Sequence, residues 1–90
     1  MEISVEITLI PINKKYKSII KKFIKTIRNS SFKVIETPLS TQIFGDYDLL
    51  MEYLNKEIKN VFNNEDSVIV QLKLFNIDRS DYRSDFWLFF

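Results

Sequence analysis

Along this chain, stretches in which apolar residues alternate singly are interleaved with two in which apolar residues fall three and four apart. The two strictly alternating stretches stand near its ends, at residues 2–10 and 67–75. In the first, Ile3, Val5, Ile7 and Leu9 share one side, and Ser4, Glu6, Thr8 and Ile10 share the other. In the second, Val68, Val70, Leu72 and Leu74 alternate with Ile69, Gln71, Lys73 and Phe75. A period of two with β-branched residues predicts strands with one buried face. Pro11 closes the first strand, because proline brings no N–H to a ladder.

The helical spacing appears next. Tyr16, Ile19, Ile20, Phe23, Ile24 and Ile27 make one apolar stripe over residues 14–29, and the Asn29-Ser30-Ser31 cluster stops it. Two short runs follow, FKVIET (32–37) and STQIF (40–44), which read as a pair of strands joined at Pro38-Leu39. Proline suits that turn because its φ is already fixed. Gly45, the one glycine in the chain, is expected to take a positive φ at a strand-to-helix corner. Asp46 reads as the N-cap of a second helix, with Asp48 in its first turn where the macrodipole favours an acid. Leu50, Leu54, Ile58 and Val61, flanked by Met51 and Phe62, form the apolar face of that helix. Asn63-Asn64-Glu65-Asp66 is a polar loop before the last strand.

The predicted order is therefore β-α-β-β-α-β, an α+β chain. Two strand-helix-strand units in tandem give a ferredoxin-like sandwich, a four-stranded antiparallel sheet with both helices on one face. Right-handed crossovers set the strand order as 4-1-3-2. At 90 residues the chain holds one domain, expected over 1–79, with an aromatic tail at 80–90.

Composition removes several functions. There is no cysteine and no histidine. That excludes disulfides and thiolate chemistry, and it removes the commonest general base and metal ligand. A zinc site would need carboxylates alone, so no metal is expected. MEISVEITLI carries early acids and no basic run, so it does not read as a signal peptide. No apolar run approaches the ~20 residues of a membrane span. The expected location is the cytoplasm. Bases from Lys14 to Lys33 occupy a stretch with no acid between Glu6 and Glu36. This reads first as a solvated helix face, and second as a steering surface for an anion.

The topology leaves one sheet face uncovered. Ser4, Glu6, Thr8 and Ile10 point there from the first strand, and Ile69, Gln71, Lys73 and Phe75 from the fourth. Apolar groups at the ends with polar groups between them suit a second copy, a small polar ligand, or both. The hydroxyls of TPLST stand at one end of the sheet, where Thr, Ser and Gln can each donate or accept. The same residues are common in turns for local reasons.

Three segments, SVEITLIPI, TPLSTQIFGDYD and VQLKLFNIDRSD, resemble the small thiamine-binding protein family. That family consists of prokaryotic ferredoxin-like proteins associated with thiamine or hydroxymethylpyrimidine uptake and salvage. Its pattern has a strand ending in proline, a T-P-[ML]-[GS]-T hairpin, a glycine before the second helix and an Asp-Arg pair after the last strand. Here these are Pro11, Thr37-Pro38-Leu39-Ser40-Thr41, Gly45 and Asp78-Arg79. Where the family usually carries Glu before the glycine, this chain has Phe44. The resemblance implies a non-catalytic protein that binds thiamine or its pyrimidine half as a ligand, with no other cofactor. It further implies a homodimer or homotetramer in vitamin salvage or uptake. Glu6 then accepts from the 4-amino group or neutralises the thiazolium. Thr8, Thr37, Ser40, Thr41 and Gln71 supply directional hydrogen bonds, and Phe44 or Phe75 stacks on a ring.

Other functions find less in the residues. Acylphosphatases share this topology but need an Arg-bearing, glycine-rich loop after the first strand, where this chain has PINKKYK. With no Ser beside a plausible base, nucleophilic catalysis has little support, and no enzyme is expected. An RNA-recognition sheet needs aromatics on its central strands, where this chain offers Ser4, Glu6 and Thr8, so no nucleic acid is expected. The alternative is a ligand-free structural or regulatory module that self-associates. Under either reading the run Phe86, Trp87, Leu88, Phe89 and Phe90 is expected to dock on a neighbouring subunit or on its own sheet. At about 25 cal/mol per Å² it gains several kcal/mol by leaving water.

Overall fold

The computed structural model describes residues 1–82. In chain order it runs β1 (Glu2–Pro11), α1 (Tyr16–Arg28), β2 (Lys33–Glu36), β3 (Thr41–Asp46), α2 (Tyr47–Asn64) and β4 (Val68–Phe75). All neighbouring strands are antiparallel, in the order β2-β3-β1-β4. Read from the other edge this is 4-1-3-2, the order set by the crossovers. The tail at 86–90, and its expected docking, lie outside the described residues.

The alternation in β1 is realised as written. Ile3, Val5, Ile7 and Leu9 are buried against Phe23 and Ile27 of α1, Ile43 of β3, and Leu50 and Leu54 of α2. Each such side chain contributes about 1.5–3 kcal/mol when fully removed from water. Val68 and Val70 of β4 and Val34 of β2 pack at the margin of this cluster.

The helix ends explain the corners. Lys25 and Arg28 occupy the last turn of α1, where cations favour the macrodipole. The Arg28 guanidinium also grips Glu36 at the end of β2 with two bonds, Nε to Oε2 at 2.8 Å and Nη2 to Oε1 at 2.7 Å. At the start of α2 the Asp46 carboxylate accepts from Leu49 N–H at 3.3 Å, the expected N-cap.

Gly45 corrects the expectation placed on it. No described residue, Gly45 included, has a positive φ. Gly45 pairs with Ile3 inside the ladder, so β3 runs through it to Asp46. The glycine is needed for space. A Cβ there would stand 2.6 Å from Cδ1 of Phe32, whose ring packs on Gly45. Phe32 is held in turn by Tyr53 of α2, with ring centres 5.3 Å apart and planes tilted by 49°.

Candidate functional site

The sheet face away from the helices is built by the other half of each strand. Directly paired residues in antiparallel strands share a face, so the register lays out rows. One row is Ile35, Gln42, Glu6, Lys73, and a second is Lys33, Phe44, Ser4, Phe75. Thr8 pairs with Gln71, and Ile10 with Ile69. The centre of the face is polar and its ends are apolar, as the alternation predicts.

One end of this face is covered. After β4 the chain turns back across the sheet and is pinned to Ser4. The Ser4 hydroxyl donates to the Ile77 carbonyl at 2.6 Å and accepts from Arg79 N–H at 2.8 Å. The Asp78 carboxylate accepts from Ser80 N–H at 2.8 Å. These Ser80 hydrogen bonds, with Lys33 across the sheet, hold the Asp78 carboxyl below the ordinary aspartate value. Arg79 lies over the Tyr82 ring, 4.8 Å from its centre. Phe44 shares this row and is only 4% exposed, although it stands outside the main core cluster. The position where the family usually carries Glu is thus a buried aromatic in this chain. The Asp-Arg pair after the last strand belongs to this returning segment, residues 76–82, a strap fastened to Ser4.

The other end is bare. Glu6, Thr8, Gln71, Leu72 and Lys73 line an open depression of about 420 Å³, within the range of small-ligand sites. Glu6 and Lys73 stand opposite one another, and Thr8 stands opposite Gln71. Among the described residues the ion pairs are the N-terminal amine with Asp46 and Arg28 with Glu36.

The β2–β3 hairpin lines a separate cleft. Thr37 Oγ1 accepts from Leu39 N–H at 3.2 Å and from Ser40 N–H at 3.0 Å, so this hydroxyl is engaged in shaping the turn. Ser40 Oγ accepts from Gln42 Nε2 at 3.1 Å. Gln42 flanks Glu6, so Ser40 is linked to the polar centre of the face through Gln42. Thr41 pairs with Ile7 and therefore points to the helix side. There Thr37, Ser40 and Thr41 line a cleft of about 220 Å³ floored by Ile7, Leu9 and Phe23. Thr8 lines both the cleft and the depression.

Of the six residues picked from the sequence, the structure gathers Glu6, Thr8 and Gln71 on the open face, and Ser40, in the hairpin cleft, reaches them only through Gln42. Thr37 and Thr41 fall in the hairpin cleft. Gln42 and Lys73 join the polar centre. Lys73 was visible in the alternation, but Gln42 needed the β1–β3 register. A separate groove of about 290 Å³ between α1 and α2, floored by Ile19, Phe23 and Val61, lies on the far side of the sheet. No helix among the described residues is long and apolar enough to cross a membrane.

Comparison with known proteins places this geometry. In structure the chain is similar to a candidate thiamine biosynthesis/salvage protein from Thermotoga maritima, at 16% identity and a TM-score of 0.77 over 86% of this chain and 85% of that one. It is equally similar to a Streptococcus pneumoniae protein, at 20% identity and a TM-score of 0.77 over 87% and 89% of the two chains. A domain of unknown function from Bacillus cereus matches at 16% identity and a TM-score of 0.70, over 86% and 77%. At these identities the likeness shows the fold. A search of curated proteins gave no match. The family model described as thiamine-binding protein matches residues 5–85, and the chain belongs to that family.

Proposed function

We propose that this chain binds thiamine or its hydroxymethylpyrimidine half, without catalysis, as a cytoplasmic homo-oligomer in vitamin salvage or uptake. The observation that carries the reading is the bare end of the open face. It sets one carboxylate, one threonine and one glutamine side by side in a depression of small-ligand size. An aminopyrimidine brings a 4-amino donor and ring-nitrogen acceptors. Glu6 accepts from the amino group, and Thr8 and Gln71 can each donate to a ring nitrogen or accept in return. Thiamine adds a cationic thiazolium, which the Glu6 carboxylate neutralises. The family and the Thermotoga maritima neighbour support a thiamine-related ligand. With Phe44 buried and apolar, Glu6 is the carboxylate at the centre of the face.

Calorimetric titration with thiamine, hydroxymethylpyrimidine and thiamine phosphate tests this. Glu6→Gln should weaken the bound ligand about tenfold or more, since hydrogen bonds to charged groups are worth about 1.5–3 kcal/mol. Thr41→Val, on the other side of the sheet, should leave affinity unchanged. If Thr41→Val weakens binding and Glu6→Gln does not, the ligand sits in the hairpin cleft. Silence from all three ligands at millimolar concentration favours the self-associating module instead.

A further inference from the structure

The basic stretch of the sequence has no part in the open depression. Residues 7–45 carry eight bases and one acid, Glu36, while the rest of the chain carries five bases and eleven acids. That one acid is already held by Arg28. The chain is close to neutral as a whole and strongly polarised within itself. Such a molecule turns one side towards an opposite charge. α1 and the turn between β2 and β3 both belong to the basic stretch.

Lys17, Lys21 and Lys25 follow one another at intervals of four, a row along one flank of α1. With Ile20, Ile24 and Arg28 they line a shallow depression of about 500 Å³. All three lysines are exposed, and none is in an ion pair among the described residues. On the other flank Lys15 and Lys22 share the groove between the helices with Glu57 and Glu65, so the more positive side is the one towards the hairpin. Ile20 and Ile24 also border the hairpin cleft, together with Pro38 and Leu39. Leu39 is 96% exposed, in the turn between β2 and β3. A single leucine in water is ordinary. A leucine projecting beside two half-buried isoleucines and a row of lysines makes an amphipathic surface.

We propose that this surface lies on an anionic lipid bilayer, with Lys17, Lys21 and Lys25 at the headgroups and Leu39 dipping between them. The pattern favours lipid over an acidic protein. Lysine is a compact charge on a long flexible stem, suited to a diffuse negative plane, whereas arginine grips one defined carboxylate or phosphate. The one arginine of α1 is already taken by Glu36. The lysine stems extend past Ile20 and Ile24, so charged and apolar groups meet the interface together. Binding of this kind is peripheral and reversible. α1 covers the other side of the sheet from the depression lined by Glu6 and Lys73, so that depression stays turned to water. The inference goes beyond the ligand reading and does not rest on it.

Sedimentation of the full chain with vesicles, in the absence of thiamine, tests it. At low salt the wild type should bind an equal mixture of phosphatidylcholine and phosphatidylglycerol and leave pure phosphatidylcholine alone, and binding should fall as salt rises. Lys17→Gln, Lys21→Gln and Lys25→Gln together should weaken binding about a hundredfold, since each lysine near an anionic surface contributes about fivefold. Circular dichroism should be unchanged. Lys33→Gln, Lys56→Gln and Lys59→Gln together remove the same charge elsewhere and should cost far less. The chain has no cysteine, so a polarity-sensitive dye on Leu39→Cys reports the contact directly. Its emission should shift to the blue on the anionic vesicles, whereas a dye on Asp81→Cys, in the strap, should not shift. The dye decides the matter if the α1 triple variant fails to fold. No binding to the anionic vesicles at low salt, equal binding to both kinds of vesicle, or equal losses in the two triple variants overturns the proposal. Retention on immobilised polyglutamate with no binding to vesicles also overturns it, and assigns the surface to an acidic protein.

Discussion

β1 and β3 face two ways, and alternate residues of the same backbone serve opposite ends. On the helix side stand Ile3, Val5, Ile7, Leu9 and Ile43, all buried. On the other side stand Ser4, Glu6, Thr8 and Gln42, half-buried or exposed. The difference shows where the stability resides. The helix side is aliphatic, and removing one of its groups leaves a cavity. The open side, at its bare end, holds groups that water already satisfies. Such groups can be changed at little cost to folding and are therefore available for recognition. Ile43→Ala should lower unfolding stability by about 4 kcal/mol, in the upper part of the range for buried Ile, Leu and Met. Gln42→Ala next to it should cost about 0.5 kcal/mol or less. Urea denaturation at fixed protein concentration measures both. Equal losses would mean that the open face is packed as well.

Phe44 is the exception that sharpens this contrast. It stands on the open side, yet it is as buried as the core. It stands in the row beside Ser4, where the segment after β4, a strap rather than a helix, is fastened by hydrogen bonds to that one serine. A strap can close over a smaller side chain more easily than two packed helices can. Phe44→Ala should therefore cost about 2–3 kcal/mol, below the 3–5 kcal/mol usual for a buried aromatic. A loss as large as that of Ile43→Ala would show that the strap is as rigid as the helical layer.

The helix side was almost fully readable beforehand, because burial imposes periodicity and periodicity survives in the letters. Ile3 to Leu9 and Leu50 to Leu54 needed no coordinates. The N-cap at Asp46 was readable too, since its chemistry is local. Two features were hidden because they depend on partners distant in sequence. The strap beside Phe44 joins Ser4 to residues more than seventy positions away. Gly45 looked like a conformational requirement and proved to be a spatial one, set by Phe32 from the turn after α1. The six candidate site residues were readable as types, but their division between two sides of the sheet depended on register. Thr41 shows this best, since one position along β3 separates it from Gln42 on the other face. Gly45→Ala should cost about 1–2 kcal/mol by overpacking against Phe32. Shrinking the ring in a Gly45→Ala, Phe32→Leu double variant should recover part of that loss. If Gly45→Ala is neutral, the ring yields freely and the glycine is not required for space.

The smallest effect is the pH dependence of one exposed ion pair. Glu36 lies on the helix-side register of β2, opposite Thr41, and its carboxylate is held by Arg28 from α1. Those hydrogen bonds, helped by the Arg28 charge, lower the Glu36 pKa below its ordinary value. A depressed folded-state value means that the unfolded chain binds the proton more readily. The stabilisation is therefore complete above the unfolded glutamate value, about 4.3, and is lost as pH falls through the lower folded value. The pair is solvent-exposed, and exposed pairs are weak and screened by salt. The denaturation midpoint of the wild type should exceed that of Glu36→Gln slightly at neutral pH, and the gap should close in acid and narrow in high salt. A gap that persists unchanged below pH ~3 would mean that Glu36 acts through packing rather than charge.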